Sequence, residues 1–387
     1  MTATSSARPA MLRALNERTV LDAIRADAPI SRAEISRRVG ISKPTVSLAL
    51  RTLLEANLVR ELDGPRQRGR YGATLFEAVP EARLVLGLDV GARFLRGAIC
   101  DLDGRVRARQ DVERGGADAA QLLDACAELR SQLISGSGLD PGAIDGAVIG
   151  VPGVVDPDSG RVGLAENIPG LEGMQFGSEL RRRLDVEVTV QNDINLAAVG
   201  ERWRGVARGV DNFAFLSIGT GLGAGLVLRG EVVSGHRGAA GELDFARAAP
   251  DRDADDPSAP ALSELADRLA AEDGLSSLEP PFSVPAVFGL ARSGDAVARL
   301  VVAEAARRIV VHILPIAAVT DVELVVLGGG IGANGDLLLH PIRRLLAEQL
   351  PFPPRVEVSM LGDAAVLTGA LAIGMDSALE NAFHDRA

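Results

Sequence analysis

The segment VQNDINLAAVGE, from Val190 to Glu201, sets a carboxylate, Asp193, between Asn192 and Asn195 directly after a β-branched run. A carboxylate in this setting has two chemical uses. It can take a proton from a hydroxyl as a general base. It can equally hold a polyol without reacting, since a carboxylate accepts hydroxyl protons while a carboxamide beside it both donates and accepts. Asp and Asn also suit the N-cap of the helix that LAAVGERW predicts, and the residues alone leave that reading open. Further along, GTGLGAG places glycines at 219, 221, 223 and 225. Alternating glycine lets backbone N–H groups approach an anion, yet a hairpin packed tightly on a neighbour looks the same. Gly219, Gly221 and Gly223 are thus candidate nucleotide contacts or packing glycines. ELVVLGGGIG, at 323–332, predicts a buried strand running into a glycine turn, either beneath a nucleotide base or ending a strand.

The elements that must carry these groups repeat. LVLGLDVGARFLRGAICDLDGRV predicts a β-hairpin unit with tight glycine turns, and FLSIGTGLGAGLVLRGEVV has the same layout 128 residues later. Leu88-Asp89-Val90-Gly91 aligns with Leu216-Ser217-Ile218-Gly219. Such internal similarity predicts two like lobes with a cleft between them.

The N-terminal segment has a different texture. Asn16 is placed to cap a helix NERTVLDAIRAD, with Val20, Leu21 and Ile24 on its apolar face. SRAEISRRVG has Ser31 and Glu34 at capping-box spacing and ends on Gly40. A third helix opens with Ser42 as N-cap and Pro44 in its first turn. Val46, Leu50, Leu53 and Leu54 form its apolar stripe, and Lys43, Ser47 and Arg51 its polar one. This is a helix-turn-helix arrangement whose second helix has the face a major groove requires. LVREL, DGPRQRGR and YGATLF then read as strand, turn and strand, a wing with Arg66, Arg68 and Arg70 placed against phosphates. The expected DNA-binding set is Ser42, Lys43, Thr45, Ser47, Arg51, Arg66, Arg68 and Arg70, acting on double-stranded DNA. The plainer alternative is a three-helix packing domain with a solvated basic loop.

Charge supports the first reading. The chain of 387 residues carries a net charge of −11. Residues 1–72 hold 13 Arg or Lys and 7 Asp or Glu, whereas the remainder holds 28 basic against 45 acidic residues. A basic head on an acidic body suggests a nucleic-acid partner for the head alone. Length predicts two or three domains. No run of eighteen apolar residues occurs, so no membrane span is expected, and the N-terminus lacks the apolar region of a secretory signal. The two cysteines, Cys100 and Cys126, form no disulfide framework, which makes the cytoplasm the expected location.

From Leu84 onward the chain resembles the ROK family (repressors, open reading frames and kinases). The residues that carry the resemblance are VIGVPGVVDPDSG, ENIPGLEG, QNDINLAAVGE, SIGTGLGAGLVLRGEVVSGHRGAAGELDF, VVLGGGIG and LGDAAVLTGALAIG, in the family's order. The resemblance implies an α/β fold, with a winged helix-turn-helix at 1–78 ahead of a two-lobed actin-like ATPase (ribonuclease H-like) sugar-kinase fold. The lobes are expected at 79–200 and 201–387. It also implies that Asp193 is the sugar-facing carboxylate, with Asn192, Glu242 and Asn167 as further sugar contacts. Two departures bear on activity. The family's histidine after the AGE motif is Phe245 here, and no cysteines follow it, so no metal is expected. The kinases' Asp-x-Gly-Gly-Thr-Lys phosphate motif is Asp89-Val90-Gly91-Ala92-Arg93-Phe94, in which Ala92 adds a Cβ and the Thr and Lys are gone, leaving Arg93 as a possible substitute cation. The expectation is a non-enzymatic, cofactor-free repressor of carbohydrate metabolism genes. It would sense a sugar or sugar phosphate and bind operator DNA as a homodimer or a dimer of dimers. A sugar kinase with a fused DNA-binding head, or a regulator controlled by a protein partner, are the alternatives.

Overall fold

The structure, a computed structural model, describes residues 7–62, 73–116, 118–165, 167–246, 254–273 and 282–384. The head comprises α1 (Ala7–Asp27), β1 (Ile30–Ser31), α2 (Arg32–Val39), α3 (Lys43–Glu55), β2 (Val59–Leu62) and β3 (Leu75–Ala78). Local chemistry sets most of these boundaries. Ser31 and Glu34 close a reciprocal capping box on α2, which ends at Gly40 in the left-handed region, φ 69°. Ser42 caps α3 with Pro44 in the first turn. Asn16, expected as a cap, lies inside α1, which begins nine residues earlier at Ala7. The segment before it holds good helix formers, its one proline, Pro9, falls in the first turn where proline is tolerated, and one interior Asn costs a helix little. The three strands pair in the order β1-β3-β2, the sheet of a winged helix. Arg66, Arg68 and Arg70 belong to the β2–β3 connection, residues 63–72, which lies outside the described residues.

The first half of the body runs β4 (Leu84–Val90), β5 (Phe94–Asp101), β6 (Val106–Glu113), α4 (Ala119–Ser137), β7 (Ile144–Val151), the hairpin β8 (Val154–Val155) and β9 (Val162–Gly163), α5 (Phe176–Leu184), β10 (Glu187–Asn192) and α6 (Asp193–Arg204). The second half runs β11 (Phe213–Ile218), β12 (Leu222–Leu228), β13 (Glu231–Val232), α7 (Ala259–Asp273), α8 (Val284–Ser293), α9 (Ala296–Thr320), β14 (Leu324–Gly328), α10 (Gly329–Gly332), α11 (Gly335–Gln349), β15 (Arg355–Val358) and α12 (Ala365–His384). The sheet orders are β10-β7-β4-β5-β6 and β13-β12-β11-β14-β15. In each, three antiparallel strands meander and two parallel strands extend the other edge, so the repeat seen in the sequence is one topology used twice.

The layers between the sheets decide how the halves are joined. On one face of the first sheet, Leu84, Leu86 and Leu88 pack with Leu122, Leu129, Phe176 and Leu180 of α4 and α5. On its other face, Val85, Ala98 and Cys100 meet Leu367, Leu371 and Met375 of α12. The last helix therefore returns to the first sheet, and a division at residue 200 does not hold it with the second half. Conversely α6 lends Ala197 and Ala198 to a cluster with Phe213, Phe215 and Val326 of the second sheet. The central stack is thus sheet, α12, α6, sheet.

Where α6 and α12 cross, backbone meets backbone. A Cβ on Gly200 would lie 2.3 Å from the Ala365 carbonyl oxygen, and one on Gly369 would lie 1.8 Å from that of Leu196. Neither neighbour is a flexible side chain that can move aside. Gly369→Ala is expected to destabilise the protein by at least ~1–3 kcal/mol, the usual cost of overpacking. A urea titration would register this as a lower midpoint with an unchanged slope. An unaltered midpoint would contradict the close crossing.

Candidate functional site

The candidate site forms where β10 ends and α6 begins. Asn192 is the N-cap: its Oδ1 accepts from the Asn195 backbone N–H at 2.9 Å, and its Nδ2 donates to the Gly153 carbonyl at 3.0 Å. Expected as a ligand contact, its side chain instead closes the helix and holds the glycine turn after β7. Asp193 is the first helical residue, with Oδ1 accepting from the Ile194 N–H at 2.9 Å. Burial pushes the Asp193 carboxyl up to about 7, helped by the nearby negative charges of Asp89 and Glu242. Glu242 is also raised, by burial and by Asp244. The structure thus brings Asp193 and Glu242 together and adds Asp89. Asn167 stands apart on the exposed turn between β9 and α5, with no hydrogen bond to Asn192, Asp193 or Glu242.

Asp89 ends up beside a cation that the sequence reading did not single out. Strand register pairs Asp89 with Arg96, and Arg96 in turn with Asp111. The Arg96 Nη1 donates to Asp89 Oδ2 at 3.2 Å, and Nη2 reaches Asp363 Oδ2 at 3.4 Å. Burial raises Asp89 to about 6 against the opposing pull of Arg96. The same guanidinium roofs the first glycine turn, since a Cβ on Gly91 would lie 2.8 Å from Arg96 Nη1. Arg93, the expected substitute cation, points elsewhere: it is largely exposed and pairs with Glu113 at 2.8 Å. The Arg96 guanidinium, paired with Asp89 and Asp363, thus lies over this glycine turn.

The second glycine loop divides by role. A Cβ on Gly219 or Gly221 would meet open space, whereas one on Gly223 would lie 2.4 Å from Ile194 Cδ1. The Ile194 side-chain end can give way at 223, but a Cβ on Gly225 would lie 2.7 Å from the Ile194 carbonyl oxygen, so packing against α6 is enough to require glycine at 225. Phe245 lies in the short helical turn Leu243–Ala246 that follows Glu242. The two cysteines are buried, and burial pushes both thiols up to about 12, so neither is a ready nucleophile or metal ligand.

Glu201, at the far end of the same motif, was not singled out from the sequence. It is fully buried and accepts from Ser359 Oγ at 2.5 Å and from the Val206 N–H at 2.9 Å. It ties the end of α6 to the loop that leads into α12. Two residues on, Trp203 and Arg204 fill the space a Cβ on Gly104 would need, at 2.8 and 2.7 Å. Arg204 stacks on the Trp203 ring and donates to the Gly104 carbonyl at 2.8 Å. That turn is also where the head docks. Arg25 of α1 donates to the Leu102 carbonyl and pairs with Asp103 at 3.3 Å. Buried Asp101 shapes the turn by accepting from the Asp103 and Arg105 N–H groups, each at 3.0 Å. Val20 and Ile24 of α1 share one apolar cluster with Leu102, Leu379 and Ala382.

On the head, α3 buries Val46, Ala49, Leu50 and Leu53 and leaves Ser42, Lys43 and Arg51 exposed. Ser42 and Thr45 hydroxyls bond each other at 2.8 Å, and Ser47 accepts from Arg32 of α2 at 3.0 Å. The exposed row begins at the helix N-terminus, the end that a recognition helix directs at base edges.

A profile described as ROK family matches residues 85–377, and one described as winged helix-turn-helix DNA-binding matches residues 14–60. The chain is 26% identical to a xylose repressor of Caldicellulosiruptor bescii over 94% of its own length and 96% of the relative's. It is 28% identical to a glucokinase of Halalkalibacterium halodurans over 68% of its length and 84% of the enzyme's. Among solved structures, a ROK family transcriptional regulator, a homologue of the E. coli MLC protein, superposes with a TM-score of 0.81 at 23% identity, covering 96% of this chain and 98% of that one. A Streptomyces griseus ROK glucokinase in complex with glucose and AMPPNP superposes at 0.64 and 26% identity, covering 76% and 99%.

The raised carboxyls of Asp193 and Asp89 have a consequence for stability. The folded state holds protons that the unfolded chain releases, so stability should fall as pH rises from about 4 to about 7 and level off above that. Asp193→Asn should flatten the decline and melt higher than the parent at pH 8. Thermal melts across pH 5–8 would check this, and identical slopes for the two proteins would contradict it.

Proposed function

The chain belongs to the ROK family, and on that premise we propose that it is a sugar-responsive DNA-binding repressor whose body senses its effector without turning it over. Its winged-helix head would read a partly palindromic operator. Two heads at half-site spacing require a homodimer or a dimer of dimers, and the protein would work in the cytoplasm. The xylose repressors among its relatives favour this reading. The effector would be a sugar or sugar phosphate held by Asp193 and Glu242, with Asn167 closing from its exposed turn.

One observation carries the proposal. Helix α6 has Asp193 at its first position and Trp203 and Arg204 at its end, against the turn on which the head is docked. Its 12 residues span ~18 Å as a rigid rod. A ligand that draws Asp193 and Glu242 together tilts this rod and, through the 102–104 turn, moves α1. Such a shift counts only if the ligand binds one arrangement better than the other. The kinase reading is disfavoured by the first glycine turn, where Ala92, Arg93 and Phe94 replace the kinases' Gly, Thr and Lys, since phosphoryl transfer depends on how phosphates and metal are held there.

Fluorescence anisotropy on DNA from the protein's own upstream region tests the reading. Titration with pentoses, hexoses, amino sugars and their phosphates should find one compound that changes operator affinity at least tenfold, ~1.4 kcal/mol of coupling. Asp193→Asn should keep the DNA affinity and lose the response. Trp203→Ala should keep both binding steps and weaken their coupling. A coupled kinase assay over the same sugars should show no turnover; turnover abolished by Asp193→Asn would establish the enzyme instead. Tight operator binding that no sugar shifts would favour control by a protein partner.

A further inference from the structure

A cavity of about 370 Å³ lies next to the Asp193 site, on the outer side of the edge strand β10. Small-molecule sites occupy ~300–1,000 Å³. Its wall includes Asn192 and Asn195, the two residues that flank Asp193, so the cavity and the carboxylate share one wall. Ser178 of α5 and Gln191 of β10 face it from the first half of the body, and Ser234 faces it from the second.

The polar groups around this space are unspent. Asn195 is only 5% exposed, and its Oδ1, which has no hydrogen-bond partner, is sealed from water and so does not itself open on the cavity. Its side chain makes no hydrogen bond within the described residues, and neither do those of Ser178, Gln191 and Ser234. Leaving a buried carboxamide unpaired costs free energy. Two of the charged groups in the lining are already committed. Arg181 pairs with Glu187 at the rim, and Asp156 accepts from the Ser159 N–H at 2.7 Å and its hydroxyl at 2.8 Å. Beside these charged groups the wall presents the Gln191 carboxamide and the Ser178 and Ser234 hydroxyls. Arg237 adds a cation beside Asp156, and Val155, Val188 and Val190 give the wall apolar stretches between its polar groups. Groups that both donate and accept match alternating hydroxyls.

We propose that this cavity is a second saccharide subsite, which receives the sugar ring or polyol substituent joined to the ring held at Asp193 and Glu242. The inference rests on the sugar-sensing reading and extends it: the preferred effector is larger than a monosaccharide. Isothermal titration of the full-length protein would compare D-glucose with cellobiose and D-xylose with xylobiose. At least one disaccharide should bind tenfold or more tighter than its monosaccharide. Ser178→Trp fills the cavity from an exposed helix position, and Gln191→Leu removes a polar group without filling it. Both should erase the disaccharide's advantage and leave the monosaccharide Kd within twofold. Monosaccharides that bind with no gain from a second ring, or a gain that survives both variants, would overturn the subsite and leave sugar sensing standing. Failure of every saccharide to bind would overturn both.

Discussion

The backbone contact between α6 and α12 is the constraint on which the molecule turns. Gly200 and Gly369 leave no room for a side chain at the crossing, so the two helices behave as one body between the two sheets. Each helix packs mainly on the sheet from the other half of the chain: α6 follows β10 yet joins the core of the second sheet, and α12 follows β15 yet covers the first. Interiors packed at this density switch between arrangements more readily than they deform continuously. Anything that moves the start of α6 is therefore felt along α12, and α12 shares its apolar cluster with the head. The coupling of site to head is a property of this layer.

The electrostatics of the site point the same way. Asp89 and Glu242 sit close enough to raise the proton affinity of Asp193, an arrangement that costs free energy in the empty protein. Hydroxyl donors relieve that cost, because each carboxylate oxygen accepts them. Arg96 relieves it on the Asp89 side only, held there by two strand pairings and by Asp363. Asp89 is thus paired with the protein's own cation, while Asp193 stays without one among the described residues. That asymmetry leaves the Asp193 side of the cleft as the one that gains most from hydroxyl donors.

How much of this was legible in the sequence follows from the range of the interactions. The capping box of α2, the αL glycine at 40 and the Ser42 cap are set by neighbours a few residues apart, and all were readable. So was the duplicated meander, because a repeat announces itself without any contact being known. Asn16 misled because a cap-type residue is permissive inside a helix. Asn192 was expected as a ligand contact and is the helix cap, since both roles favour the same side chain. Arg96 was missed in favour of Arg93 because only the β4–β5 register puts Asp89 opposite Arg96. Nor does any local pattern tell that α12 returns to the first sheet, or that Gly200 must meet Gly369. Such contacts join residues more than 150 positions apart.

The central claim is that ligand at Asp193 is transmitted through α6 to the docking turn of the head. Amide hydrogen exchange with and without the effector identified on the operator tests this most directly. Protection should change at Leu102–Gly104 and along the α1 segment that carries Val20, Ile24 and Arg25, as well as around Asp193 and Glu242. Changes confined to the neighbourhood of Asp193 and Glu242, under conditions where operator affinity still shifts, would contradict the account.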